Sequence, residues 1–221
     1  MRIGLFGGTF NPVHLGHLRA AVEVRQGFEL DEIFMIPAAL PPHKVPGEVA
    51  ASADRLNMLN LALGADSGLK VSNVELNRSG PSYTIDTVQH FKQTLPAESR
   101  LFLIMGLDAF LEIDTWKSYA ELLLQIPLII INRPRSGSSA ENPGWKILQK
   151  FLASKISSDY VFSESRSCYH ARSRQPIYIF EVTSLDISST RVRNLINTGR
   201  SIEYFVPRKV AEFINSKGLY L

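Results

Sequence analysis

The chain is almost devoid of cysteine: Cys168 is the only one in 221 residues. A single thiol forms no internal disulfide and offers zinc no cysteine pair. Its setting, Arg166-Ser167-Cys168-Tyr169-His170, is polar and carries no nucleophile motif, which indicates a bland surface or half-buried thiol. Long apolar runs are lacking as well. No stretch approaches the about 18 apolar residues that a membrane-spanning helix requires. The opening Met1-Arg2-Ile3-Gly4 runs directly into a strand-like segment, without the apolar stretch and cleavage site of a signal peptide. The resulting expectation is a cytoplasmic protein with no membrane partner. Charge of one sign is weak too, 24 Lys and Arg against 21 Asp and Glu, a net charge of +3. The excess is partly local, in the basic stretch from Arg133 to Arg174. With no nucleic-acid motif beside it, that stretch reads as a solvated insertion or a rim that attracts small anions, and no nucleic-acid partner is expected.

What is present is a composition fit for a buried core, 45% hydrophobic and 20% charged. Apolar runs alternate with helix-period segments. Strands are expected at Arg2 to Phe6, Glu32 to Pro37, Val71 to Asn77, Leu101 to Met105, Leu128 to Ile131 and Ile177 to Val182. Helices are expected at Leu15 to Gln26, with Leu18, Ala21, Val22 and Arg25 on one stripe, and at Asp54 to Leu63 behind a Ser52 cap, with Leu56, Leu59, Leu61 and Leu63 apolar. Others follow at Thr84 to Thr94, Ser188 to Asn197 and Pro207 to Ser216. Arg135 to Gly144 reads as a loop, and Ser157 to Gln175 as polar and aperiodic. Alternating strands and helices imply a Rossmann-like α/β fold, a parallel sheet with helices on both faces. The expected organisation is a single domain over residues 1–221, with a core to about 182 and a small C-terminal helical subdomain from about 183. Ligands of such folds bind outside the carboxyl ends of the strands, so the loops there are expected to line one cleft.

Two of those loops carry chemistry. The first is Gly7-Gly8-Thr9-Phe10-Asn11-Pro12-Val13-His14-Leu15-Gly16-His17, between the first strand and the first helix. Glycines let backbone N–H groups approach an anion, and a helix N-terminus favours negative charge. The Gly-x-Gly-x-x-Gly dinucleotide fingerprint and the P-loop ending are both absent, which argues against a dehydrogenase or a P-loop ATPase. His14 and His17, three apart, share a helix face. They read as phosphate-handling groups, against two alternatives: structural histidines, or a metal pair that lacks a further ligand at suitable spacing. The second loop is Ile187-Ser188-Ser189-Thr190-Arg191-Val192-Arg193. Hydroxyls cap a helix there, and Arg193 lies one turn inside, making a second anion site. A triphosphate needs donors from two sides.

Gly-x-Phe-Asn-Pro-x-His-x-Gly-His at 8–17, with Ile-Ser-Ser-Thr-x-x-Arg at 187–193, resembles the nucleotidyltransferase superfamily that bears the (His/Thr)-x-Gly-His signature. Pro41-Pro42-His43-Lys44, Pro81-Ser82-Tyr83-Thr84, Gly106-Leu107-Asp108, Thr115-Trp116, Arg133-Pro134, Val206-Pro207 and Gly218-Leu219-Tyr220 are similar to the bacterial nicotinate-nucleotide adenylyltransferases within it. The likeness covers nearly the whole chain and is weakest from Arg135 to Gln175.

The resemblance implies that nicotinate mononucleotide and ATP give nicotinate adenine dinucleotide and pyrophosphate, with Mg²⁺ carried by the ATP phosphates and no protein metal ligands. It implies catalytic roles for His14, His17 and Lys44. ATP would be held by Gly8, Thr9, Phe10, His14, His17, Gly106, Ile187, Ser188, Ser189, Thr190 and Arg193. The acceptor would be held by Lys44, Tyr83, Thr84, Ile85, Asp108, Trp116, Lys117 and Arg133, with Trp116 as the platform for the pyridine ring. Trp145 reads as structural. Physical chemistry agrees with this reading: the acceptor phosphate is already an anion, so neither a general base nor a covalent intermediate is required, only alignment and charge neutralisation. The rival readings are a sister adenylyltransferase acting on nicotinamide mononucleotide or phosphopantetheine, a nucleotide-binding regulator without catalysis, and, more remotely, a nucleic-acid-binding protein. A homo-oligomer is compatible with all of them.

Overall fold

The computed structural model describes residues 1–39, 49–64, 68–132 and 143–221. Lys44, the Pro41 to Lys44 motif, Arg133-Pro134 and most of the Arg135 to Gly144 loop lie outside the described residues. In chain order the elements are β1 (Arg2–Gly8), α1 (Leu15–Gly27), β2 (Glu32–Pro37), α2 (Ser52–Ala62), β3 (Leu69–Val71), α3 (Thr84–Thr94), β4 (Arg100–Gly106) and α4 (Leu107–Phe110). They continue with α5 (Tyr119–Gln125), β5 (Leu128–Asn132), α6 (Pro143–Phe151), β6 (Val161–Ser163), β7 (Cys168–Ala171), β8 (Arg174–Glu181), α7 (Ser189–Asn197) and α8 (Arg208–Lys217).

The strands form one eight-stranded sheet in the order β3-β2-β1-β4-β5-β8-β7-β6. The pairs β2/β3, β1/β4, β4/β5 and β5/β8 are parallel, and β7/β8 and β6/β7 run antiparallel. The order turns back at β1, as in doubly wound Rossmann-like folds, and the carboxyl end of that strand is where such folds place a ligand loop. β4 and β5 contribute continuous buried runs, Leu101 to Met105 and Leu128 to Ile131. Each fully buried Leu or Ile there stabilises the fold by roughly 1.5–3 kcal/mol. The chain divides into two compact units. One comprises Met1–Phe6 and Tyr83–Ser184, the other Gly7–Ser82 and Leu185–Leu221.

Several readings of the sequence need correction. The strand expected over Val71 to Asn77 is only Leu69–Val71. Beyond it Ser72 Oγ accepts from the Val74 N–H (3.4 Å), and the Asn73 carbonyl accepts from Leu76 (2.9 Å) and Asn77 (3.1 Å), so local turn bonding outcompetes the ladder. α2 begins at Ser52 itself, with Ala51 in the cap position and no side-chain cap. Its buried side is Arg55, Met58 and Leu59, while Leu61 is exposed. On α1 the buried stripe is Gly16, Ala20, Ala21 and Val24, displaced from the one read from Leu18 and Val22. The polar stretch Ser157 to Gln175 contains β6 and β7, antiparallel strands of three and four residues that are too short to carry a periodic signal. Helices α4, α5 and α6 were not foreseen either. Cys168, read as a surface or half-buried thiol, is instead buried on β7, where burial pushes its thiol pKa up.

Candidate active site

The loop from β1 into α1 is held tightly. β1 ends in Gly7 and Gly8, and the Gly8 carbonyl accepts from the Ala38 N–H (3.0 Å). Phe10 adopts a left-handed φ of 49°, with its ring buried and set edge-on to His17 at 5.1 Å. His14 stands in the N-cap position just before α1 and is 2% exposed. Its ring stacks on that of His17 with centroids 3.6 Å apart, so the pair does share a face. Gly16 makes this possible. A Cβ there would lie 3.1 Å from His14 Nδ1 and 3.7 Å from the Ile187 carbonyl.

One hydrogen bond decides what His17 can do. The His14 N–H donates to His17 Nδ1 at 3.3 Å. A backbone N–H can only donate, so Nδ1 is the acceptor and the ring proton of neutral His17 resides on Nε2. In half-buried His17 the N–H donor therefore lies on the Nε2 edge of the ring.

The second motif is tied to the first. Ser188 caps α7 by accepting from the Arg191 N–H at 3.1 Å. Ser189 Oγ donates to the Pro12 carbonyl (2.9 Å), Arg193 Nη1 donates to the Asn11 carbonyl (2.9 Å), and Arg193 Nη2 reaches Thr190 Oγ1 (3.4 Å). Leu15 N–H donates to the Phe205 carbonyl at 2.9 Å, adding the segment after α7 to the same assembly. Gly8, Thr9, Phe10, His14, His17, Ile187, Ser188, Ser189, Thr190 and Arg193 thus belong to one compact unit and meet around the start of α1.

Arg55 is the residue that motif reading missed. It is 1% exposed, and it donates to three loop carbonyls: Thr9 (2.9 Å), Ala39 (3.2 Å) and Ala50 (3.0 Å). Burial lowers its pKa from the ordinary arginine value. The available signal was a cation on the apolar stripe of α2, at helical spacing from Met58 and Leu59.

The other unit holds a second group. α3 opens at Thr84 behind Tyr83, whose carbonyl accepts from Asp86 (3.1 Å) and Thr87 (3.3 Å). The N–H groups of Thr84 and Ile85 precede Asp86, the first to donate within the helix, and so have no intrahelical acceptor, as at every helix start. Lys117 Nζ lies 3.1 Å from both Asp86 carboxylate oxygens and 4.6 Å from the centre of the Tyr83 ring. That brings the Trp116-Lys117 segment against the start of α3, with Trp116 half-buried. Gly106 closes β4, and a Cβ there would meet nothing within 4 Å. Asp108 is exposed in the first turn of α4. Trp145 is engaged elsewhere in this unit, donating to Glu181 at 3.3 Å and packing edge-on to Phe162. Among the described residues there is no cluster of three or more His, Cys, Asp or Glu able to hold a metal, and no helix long and apolar enough to cross a membrane.

Residues 5–195 match the Cytidylyltransferase-like family. A protein of Desulfatibacillum aliphaticivorans, named a probable nicotinate-nucleotide adenylyltransferase, is 39% identical over 100% of both chains. One of the same name from Pseudomonas fluorescens Pf-5 is 38% identical over 99% of this chain and 97% of its own. Among solved structures, the Plasmodium falciparum nicotinic acid mononucleotide adenylyltransferase complexed with NaAD superposes with a TM-score of 0.71 at 17% identity, covering 99% of this chain and 97% of that one, a likeness of fold. With its two tied motifs and its full-length relatives, the chain belongs to the Cytidylyltransferase-like family of nucleotidyltransferases and, within it, to the nicotinate-nucleotide adenylyltransferases.

Proposed function

We propose that this enzyme transfers the adenylyl group of ATP to nicotinate mononucleotide, forming nicotinate adenine dinucleotide and pyrophosphate in NAD biosynthesis. The observation that carries the mechanism is the His14 N–H to His17 Nδ1 bond, which leaves His17 a fixed donor through Nε2. The names of the full-length relatives support the choice of reaction.

An oxygen of the acceptor phosphate attacks the α-phosphorus of ATP. The bond from that phosphorus to the bridging oxygen breaks, and pyrophosphate leaves with the electron pair. No proton need be abstracted, because the nucleophile is an anion at neutral pH. The barrier lies in bringing two like charges into line and spreading the charge that shifts toward the leaving group. In this reading His17 Nε2–H serves the α-phosphate, with the backbone N–H groups of Thr9 and Phe10 beside it. Arg193, Thr190 and the start of α7 serve the β- and γ-phosphates, where a helix N-terminus and a guanidinium reinforce each other. Mg²⁺ accompanying ATP would offset phosphate charge, and no residue named here is called on to hold it. Lys44 and Arg133 keep the roles their motifs imply.

Acceptor choice is assigned to the start of α3. The nicotinate carboxylate only accepts hydrogen bonds, whereas the nicotinamide group must also place an NH₂ donor. N–H groups of Thr84, Ile85 and Lys117 favour the anion and leave an amide NH₂ facing donors, with Trp116 supplying a flat surface for the ring. Pyrophosphate release from ATP, measured with nicotinate mononucleotide, nicotinamide mononucleotide and phosphopantetheine as acceptors, tests the proposal. The first should be used best. Turnover with only one of the others, or none with any, contradicts it.

A further inference from the structure

We infer that Tyr220, after the last helix, is a positioning residue for the triphosphate: it holds Asn11, whose carbonyl orients Arg193. This rests on the function proposed above and assigns Tyr220 a part in it.

Asn11 is 4% exposed and is the junction of three segments. Its Oδ1 accepts from the Ala50 N–H at 3.0 Å and from the Tyr220 hydroxyl at 2.8 Å, and its backbone carbonyl accepts from Arg193 Nη1 at 2.9 Å. The Ala50 N–H can only donate, so the side-chain oxygen of Asn11 must face it, and the tyrosine hydroxyl beside it must donate as well. Burial pushes the Tyr220 pKa well up, so the hydroxyl keeps its proton at any physiological pH, and Arg193 and Arg55 are the cations close enough to oppose that shift. The ring reaches this place because the chain reverses after α8. Gly218 takes a left-handed φ of 62°, and the Leu219 N–H closes on the Ile214 carbonyl at 3.1 Å. Tyr220 itself has a φ of 67°. A left-handed tyrosine is disfavoured, and the buried hydroxyl bond is an interaction able to hold it there.

A guanidinium that binds phosphate well must be aimed beforehand, since its fork makes directional bonds. One of its nitrogens is committed to the Asn11 carbonyl, so a shift of the Asn11 peptide re-aims the others. Tyr220 does not act on the acceptor in this account. Its loss should therefore weaken ATP and pyrophosphate and spare nicotinate mononucleotide.

The test is Tyr220→Phe in the full chain, which removes only the hydroxyl, alone and combined with Arg193→Ala. Equilibrium affinities for ATP, pyrophosphate and nicotinate mononucleotide are read by calorimetry, so that wild type lacking turnover defeats the proposed function without deciding this inference. Tyr220→Phe should weaken ATP and pyrophosphate by about threefold to tenfold, the worth of one neutral hydrogen bond, and leave the acceptor within about twofold. In the Arg193→Ala background the same change should cost less than about twofold, because its target is gone. Gly218→Ala, which strains the turn that delivers Tyr220, should reproduce the pattern should Tyr220→Phe fail to fold. Unchanged ATP affinity, equal weakening of ATP and acceptor, or a full effect persisting without Arg193 each overturns the inference.

Discussion

The residues around His17 and those around Trp116 are held in place by different means. Around His17 the fixing bonds are part-buried and centre on buried residues. His14, Asn11 and Arg55 are nearly inaccessible, and carbonyls of Thr9, Asn11 and Pro12 each receive a side-chain donor from a distant part of the chain. Around Trp116 the visible tie is the exposed Lys117–Asp86 pair beside the Tyr83 ring. Buried, fully satisfied polar networks are rigid, while exposed ion pairs contribute little. Rigidity is most useful where charge is redistributed in the transition state, because donors aimed in advance need not reorganise. A recognition surface tolerates more freedom, since its contacts form equally in ground and transition states.

If that contrast holds, substitutions on the two sides should fail differently. The largest effect should come from Arg55→Met, which keeps the length of the side chain but removes its three bonds to the part-buried carbonyls of Thr9, Ala39 and Ala50. A loss of about 3 kcal/mol or more is expected, seen as a large drop in denaturant midpoint. A midpoint within about 0.5 kcal/mol of wild type would mean that the loops do not depend on it. Next is His17→Ala. Removing one fixed transition-state donor typically costs about a hundredfold or more in kcat, with ATP affinity and folding largely retained. A kcat within a few-fold of wild type would remove His17 from the chemistry. On the other side, Trp116→Ala should weaken the acceptor by roughly tenfold, about the worth of an aromatic contact, while kcat at saturation changes little. A loss confined to kcat would break the comparison. Smallest of all, Lys117→Ala should cost under about 1 kcal/mol of stability, because its partner pair is solvent-exposed.

Much of this was legible in the sequence, for identifiable reasons. β4 and β5 are uninterrupted apolar runs, and buried central strands have that signature. Ser188 caps α7 and Pro207 precedes α8 as helix-start rules require. The two motifs assigned to phosphate were visible because they combine glycine, histidine and hydroxyls at helix starts. Their connection was not, because Ser189 to Pro12 and Arg193 to Asn11 span most of the chain and no local pattern encodes them. Arg55 was hidden because pattern reading scores a cation as a solvent-facing residue, whereas its guanidinium satisfies loop carbonyls from within. The strands β6 and β7 escaped because segments of three and four residues are too short to show a periodicity. In the second group of candidates, Tyr83 to Ile85 was legible as the start of α3, whereas Trp116 owed its visibility to resemblance.

The measurement that bears most directly on the contrast is the ratio of kcat/KM for nicotinate mononucleotide over nicotinamide mononucleotide, in wild type and in Trp116→Ala. Mismatched buried polar groups discriminate strongly, by far more than a missing methylene. The account predicts a large preference for the nicotinate acceptor in wild type, and the same ratio in the variant despite lower values for both, because backbone N–H groups at the start of α3 read the carboxylate. Equal use of the two acceptors by wild type, or a ratio that collapses in the variant, would contradict it.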